Sequence, residues 1–131
     1  MEEINRQIAN VTLVVKDYDE AIAFYTKKLG FELVDDVDLG EGKRWVLVAP
    51  KGSQCNILLG KAANNEQKAA IGNQTGGRVF LFLNTADFWK DYRQMQKNGI
   101  LFKEEPREES YGTVVVFEDL YGNLWDLLQL K

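Results

Sequence analysis

Ile8-Ala-Asn-Val-Thr-Leu-Val-Val15 is β-branched and apolar over the length of a strand, and the helix signals directly after it decide the fold. Asp17 is placed as a helix N-cap, with Asp19 and Glu20 at the positive end of the helix dipole. Ile22, Tyr25 and Leu29 recur at helical spacing, Ala21 and Phe24 adjoin them, and Gly30 supplies the stop. Further out, residues 31–37, 44–49 and 55–59 read as three more strands. The turns Gly40-Glu41-Gly42 and Pro50-Lys51-Gly52-Ser53 separate them. This half is therefore βαβββ.

The plan repeats. Residues 79–83 form an apolar strand, and Thr85 or Asp87 caps a helix carrying Phe88, Tyr92 and Met95 that ends at Asn98-Gly99. Residues 100–103, 113–118 and 124–130 read as strands, the last after the turn Asp119-Leu120-Tyr121-Gly122-Asn123. Val11 and Val79, Gly30 and Gly99, and Gly52 and Gly122 correspond at offsets of 68 to 70. Residues 61–77 form a polar linker with one helical turn around 66–70. Its Gly72-Asn73-Gln74-Thr75-Gly76-Gly77 lacks the Lys-Ser/Thr and helix start of a phosphate loop and reads as a flexible connector. The expectation is one α+β domain: module 1 at about 5–60, the linker at about 61–77 and module 2 at about 78–131. Two such modules form a curved mixed sheet around a concave cleft, with the helices on the convex face.

Sixteen basic against twenty acidic residues give a formal charge of −4. An acidic surface makes nucleic acid and anionic lipid poor partners. No apolar run approaches the ~20 residues that span a bilayer, and no basic flank with an apolar stretch marks a secretory signal. The lone Cys55 has no internal disulfide partner, and a cytoplasmic protein is expected. The chain contains no histidine, which excludes Ser-His-Asp and Cys-His catalysis and every histidine-ligated metal site.

Val11-Thr-Leu-Val-Val-Lys-Asp17, Ala21-Ile-Ala-Phe-Tyr25 and Leu29-Gly30-Phe31 resemble the vicinal oxygen chelate superfamily. In the second half, Pro106-Arg107, Tyr111-Gly112 and Phe117-Glu-Asp-Leu-Tyr-Gly-Asn123-Leu-Trp-Asp126 carry the same resemblance. That superfamily holds glyoxalase I, extradiol dioxygenases, fosfomycin-resistance enzymes and bleomycin-resistance proteins. The resemblance implies a divalent cation in the cleft, held by His and Glu on matched strands. The positions that match those ligands here are Asn10, Asn56, the stretch Arg78-Val79-Phe80, and Asp126. Two amides and one carboxylate make a poor transition-metal set, so no cofactor is expected and a divalent metal is not favoured.

Side-chain alternation turns Ile8, Asn10, Thr12 and Val14 toward the cleft, and Val11, Leu13 and Val15 toward the helix. By the same rule Asp126 faces in with Leu124 and Leu128, Trp125 faces out, and Arg78, Phe80 and Phe82 share a face. Trp45 and Tyr111 are candidate aromatic walls. Glu104-Glu105 and Glu108-Glu109, around Pro106-Arg107, read as a solvated loop face, and Asp35, Asp36 and Asp38, which lack the spacing of a Ca²⁺ loop, as a solvated hairpin edge.

The expected ligand-binding set is thus Asn10, Trp45, Asn56, Arg78, Phe80, Tyr111 and Asp126. Two functions fit it. One is a metal-free binding protein of the bleomycin-resistance type, a homodimer that sequesters an aromatic or cationic compound by stacking and charge. The other is an enzyme of the same superfamily, either a lyase, isomerase or dioxygenase with atypical metal ligands or one using Asp126 as base. Binding is the favoured reading. The modules pair either within a chain or between two chains.

Overall fold

The computed structural model describes Glu3 and residues 5–131. Module 1 runs β1 (Asn10–Val15), α1 (Tyr18–Ala23), β2 (Glu32–Gly40), β3 (Lys43–Ala49) and β4 (Asn56–Lys61). The linker carries α2 (Asn65–Ala70). Module 2 runs β5 (Val79–Asn84), α3 (Phe88–Lys97), β6 (Leu101–Phe102), β7 (Arg107–Glu109), β8 (Gly112–Glu118) and β9 (Leu124–Leu130).

Local chemistry sets these boundaries. Asp17 caps α1 by accepting from Glu20 N at 2.8 Å, and the helix continues as a π-turn over Phe24–Lys28. Gly30 and Gly99, at φ 72° and 85°, end the two helical segments in the left-handed conformation that glycine adopts without strain. Asp87 is the cap of α3, accepting from Lys90 N.

The first sheet has the order β1-β4-β3-β2, and the second β5-β9-β8-β6, with β7 also paired to β8. β1 lies parallel to β4 and β5 parallel to β9, so the repeat holds strand for strand. The ladders stay within each module as two mixed sheets. The counterpart of β2 is divided into β6 and β7, and β7 falls where the charged pattern had indicated a solvated loop.

Both sheets turn one face to a single core. Leu13, Val15, Val46, Val48, Ile57 and Leu59 pack there under Tyr25, and Val115, Phe117, Trp125 and Leu127 pack with Phe88 and Met95 of α3. Tyr25 and Trp125 meet across the modules with ring centroids 6.0 Å apart, and Trp125 stacks on Phe117 at 5.8 Å. Each such side chain contributes about 1.5–3 kcal/mol by burial. The hollow bounded by Val11 and Ile57 from one sheet and Leu81 and Trp125 from the other shows these helix-side faces meeting.

The linker is docked, contrary to the flexible connector expected. Gln74 Oε1 accepts from Val14 N at 2.7 Å, and its Nε2 donates to the Thr12 carbonyl at 3.0 Å. One side-chain amide thus satisfies two backbone groups on the free edge of β1. Gly72, at φ 77°, lies against the Tyr121 carbonyl, where a Cβ would collide.

Candidate functional site

The faces turned away from the shared core carry the candidate site. On β1, Leu13 and Val15 are fully buried while Thr12 is exposed, so the expected alternation holds and places Asn10, Thr12 and Val14 on the open face. Strand β1, whose register with β4 starts at Asn10, does not include Ile8, which is 73% exposed. Asn10 and Asn56 are direct partners in the β1–β4 ladder and stand side by side. Asn10 Oδ1 is buried and has no hydrogen-bond partner among the described residues.

On the second sheet, Asp126 lies in register between Phe82 of β5 and Val116 of β8. Its Oδ1 is also buried without a partner among the described residues. Burial pushes the carboxyl above the usual aspartate value. The Arg107 guanidinium opposes that shift and Glu104 adds to it. Arg107 pairs in register with Val114, on the same face as Asp126. Its Nε donates to Glu104 Oε2 at 2.9 Å, and its Nη1 stands 3.6 Å from Glu109. Glu104 is further tied down by the Val116 N–H at 3.1 Å. Glu104 and Glu109 therefore hold Arg107 in place, and the solvated-loop expectation is corrected there. The hydrogen bond that Arg107 donates to Glu104 leads in holding Arg107 charged, with Tyr111 and Glu109 adding to it.

The other expected residues scatter. Tyr111, 47% exposed, belongs with Arg107 at the β7–β8 turn. Trp45 stands on the open face of β3 at the wall of a cavity of about 690 Å³ with Leu58 and Gly60. Arg78 is exposed ahead of β5, and its carbonyl accepts from Thr75 Oγ1. Phe80 packs against the core. A bulge between Val79 and Leu81 shifts the ladder, so Phe82, 63% exposed, takes the place opposite Asp126 that the offset had assigned near Phe80. The structure thus joins Asn10 with Asn56, and links Tyr111 to Arg107, whose charge acts on Asp126. Arg107 and Phe82, absent from the expected set, complete the second group. Spacing carries no signal for either, because a bulge and a charged edge strand leave none.

A family profile described as the Glyoxalase/Bleomycin resistance protein/Dioxygenase superfamily matches residues 7–127. The chain belongs to this superfamily. An uncharacterised protein of Shewanella frigidimarina strain NCIMB 400 is 59% identical over 98% of this chain and 96% of its own. The crystal structure of UcmS2 superposes with a TM-score of 0.83 at 30% identity, covering 95% of this chain and 98% of that one. TnmS3, an antibiotic binding protein from Streptomyces sp. CB03234, superposes with a TM-score of 0.79 at 26% identity over 99% and 100% of the two chains.

The superfamily's divalent cation does not fit the donors here. The four matched positions, corrected for the bulge, hold Asn10, Asn56, Phe82 and Asp126. A phenyl ring offers no lone pair, and one carboxylate with two neutral amides leaves a dication uncompensated. Among the described residues no three His, Cys, Asp or Glu side chains gather in metal-binding proximity. No described helix is long and apolar enough to cross a membrane.

Proposed function

We propose that this chain is a small-molecule-binding protein of the glyoxalase/bleomycin-resistance type that works without a divalent metal. It sequesters an aromatic compound bearing hydrogen-bond donors or a positive charge against its open faces. The observation that carries this reading is the pair of buried oxygens without partners among the described residues, Asn10 Oδ1 and Asp126 Oδ1, one on the open face of each module. An unpaired buried acceptor costs about 1–3 kcal/mol, and a ligand N–H or O–H recovers that cost. Phe82 beside Asp126 offers the aromatic face. The likeness to the antibiotic-binding TnmS3 supports binding over turnover.

The cleft is completed by a second copy of the chain. Each open face turns away from the shared core, and the cavity at Trp45 takes its walls from module 1 and the linker. A homodimer that sets module 1 of one copy against module 2 of the other encloses Asn10 and Asp126 in one hollow. The single free thiol of Cys55 suits a reducing cytoplasm.

A thermal-shift screen of planar and cationic compounds tests the binding. Hits are expected to weaken in Asp126→Asn and in Asn10→Ala, and affinity unchanged in both would overturn the site. Elemental analysis showing stoichiometric metal, with a melting shift on its removal, would overturn the metal-free part. One observation favours a second reading, an enzyme using Asp126 as general base: its carboxyl is raised by burial, as such a base requires. That reading predicts a product whose formation stops in Asp126→Asn.

A further inference from the structure

The two modules differ at one place that the duplication should make alike. β8 and β9 are zipped over seven residue pairs, from Gly112–Leu130 to Glu118–Leu124. Their counterparts β3 and β4 hold only two, Leu47–Leu58 and Val48–Ile57. Beyond Leu47 the strands part, and the cavity of about 690 Å³ opens between them, a volume typical of small-molecule sites. Arg44 accounts for the parting. Its N–H donates to the Tyr18 hydroxyl at 3.1 Å, and its guanidinium is clamped by Asp19 at 2.9 Å and Asp36 at 2.8 Å. These bonds tie the β2–β3 hairpin to α1 rather than to β4. Gly60 contributes no side chain on the β4 side.

The lining states what would enter. Trp45, 36% exposed, presents an indole beside Leu58. Arg44 is already held by two carboxylates, and Lys43 and Lys61 are the cations of the wall with no carboxylate partner among the described residues. Asp19, Asp36 and Glu41 equal Arg44, Lys43 and Lys61 in number, so the two unpaired lysines, rather than an excess of positive charge, offer the site for an anion. We infer that the split between β3 and β4 is a pocket for a flat aromatic carboxylate, which stacks on Trp45 and pairs its carboxylate with Lys43 and Lys61. The inference goes beyond the function proposed above. It shares Trp45 with that reading but uses neither Asn10 nor Asp126.

Isothermal titration with three naphthalene probes tests it: 2-naphthoate, 2-naphthamide and 2-naphthylmethylammonium. The carboxylate should bind about tenfold tighter than the amide, and the ammonium more weakly than either. Lys43→Ala/Lys61→Ala should bring naphthoate down to the amide's affinity while leaving the amide's own binding intact, which also shows that the variant is folded. Removing the same charge elsewhere, in Lys27→Ala/Lys97→Ala, should leave the preference in place. Equal affinities for the three probes, a preference that survives the Lys43/Lys61 variant, or no binding of any probe at about 1 mM would each overturn the inference. None of these outcomes touches the open-face reading, which stands on the screen and on Asn10 and Asp126.

Discussion

Tyr25 Oη donates to Asp119 Oδ2 at 2.6 Å, joining the helical segment of module 1 to the β8–β9 turn of module 2 inside the core. The same carboxylate accepts from Tyr121 N, Asn123 N and Asn123 Nδ2, each at 2.9 Å, so the Asp-x-x-Gly-Asn turn is built around one fully bonded buried charge. Tyr25→Phe should cost about 1–2 kcal/mol in urea denaturation at pH 7, since three donors remain. Asp119→Ala, which strands all the donors, should cost about 3–5 kcal/mol.

That bond also sets the alkaline limit. Burial, then the charge of Asp119, raises the Tyr25 hydroxyl well above its ordinary 10.0. The unfolded chain ionises this tyrosine first, so the stability is fully present below pH 10 and is lost as pH rises beyond it. Tyr121, raised by burial and by its bond to Glu20, acts in the same direction. The melting temperature should fall above about pH 10, and less steeply in Tyr25→Phe; an identical slope in the variant would refute the assignment.

Gln74 substitutes for a neighbouring strand along the edge of β1. Gln74→Ala removes two hydrogen bonds and uncovers an unpaired Val14 N–H and Thr12 carbonyl. The expected loss is about 1–2 kcal/mol, accompanied by faster growth of light scattering on warming. Gln74→Glu keeps the acceptor but turns the donor to Thr12 into a second acceptor, and should recover only part of the loss.

Much of this fold was legible because alternation in strands and spacing in helices leave a direct imprint on composition. Leu13 and Val15 against Asn10 and Thr12, and the cap at Asp17, are local facts that the chain writes in order. Backbone irregularities are not so written. The bulge at Val79/Leu81 moved the residue opposite Asp126 from the Phe80 region to Phe82, because counting by a fixed offset assumes an unbroken ladder. Arg107 was hidden among four glutamates that read as solvent-facing, and only its pairing with Val114 places it beside Asp126. Gln74 could not be found at all by pattern, since its role depends on a strand some 60 positions away.

Asp126 should carry a measurable cost in the ligand-free protein. Burial raises its carboxyl, so the folded state resists ionisation more than the unfolded chain does. Its contribution is fully present below the ordinary carboxyl value of 3.8 and is lost as pH rises through the folded value. Asp126→Asn should therefore raise the melting temperature by a few degrees at pH 7, with the difference vanishing below pH 4. A variant less stable than the parent at pH 7 would show that the carboxylate is satisfied in the free protein, and would remove the main support for a ligand there.

The proposed homodimer makes the last demand on the molecule. Phe82 at 63% and Leu130 at 56% are exposed on or beside the open face of module 2, and Val37 and Trp45 are exposed in module 1. In the proposed pairing, the opposite module of a second copy covers the apolar side chains of both half-clefts together. Light scattering at micromolar concentration should give twice the 15.0 kDa of one chain. Phe82→Glu places a second acid next to Asp126 at the centre of the seam, and should weaken dimerisation by about ten- to a hundredfold. It should leave the far-ultraviolet circular dichroism unchanged, because Phe82 takes no part in the core. A monomer in the parent protein, or a dimer indifferent to Phe82→Glu, would mean that the open faces are not the seam.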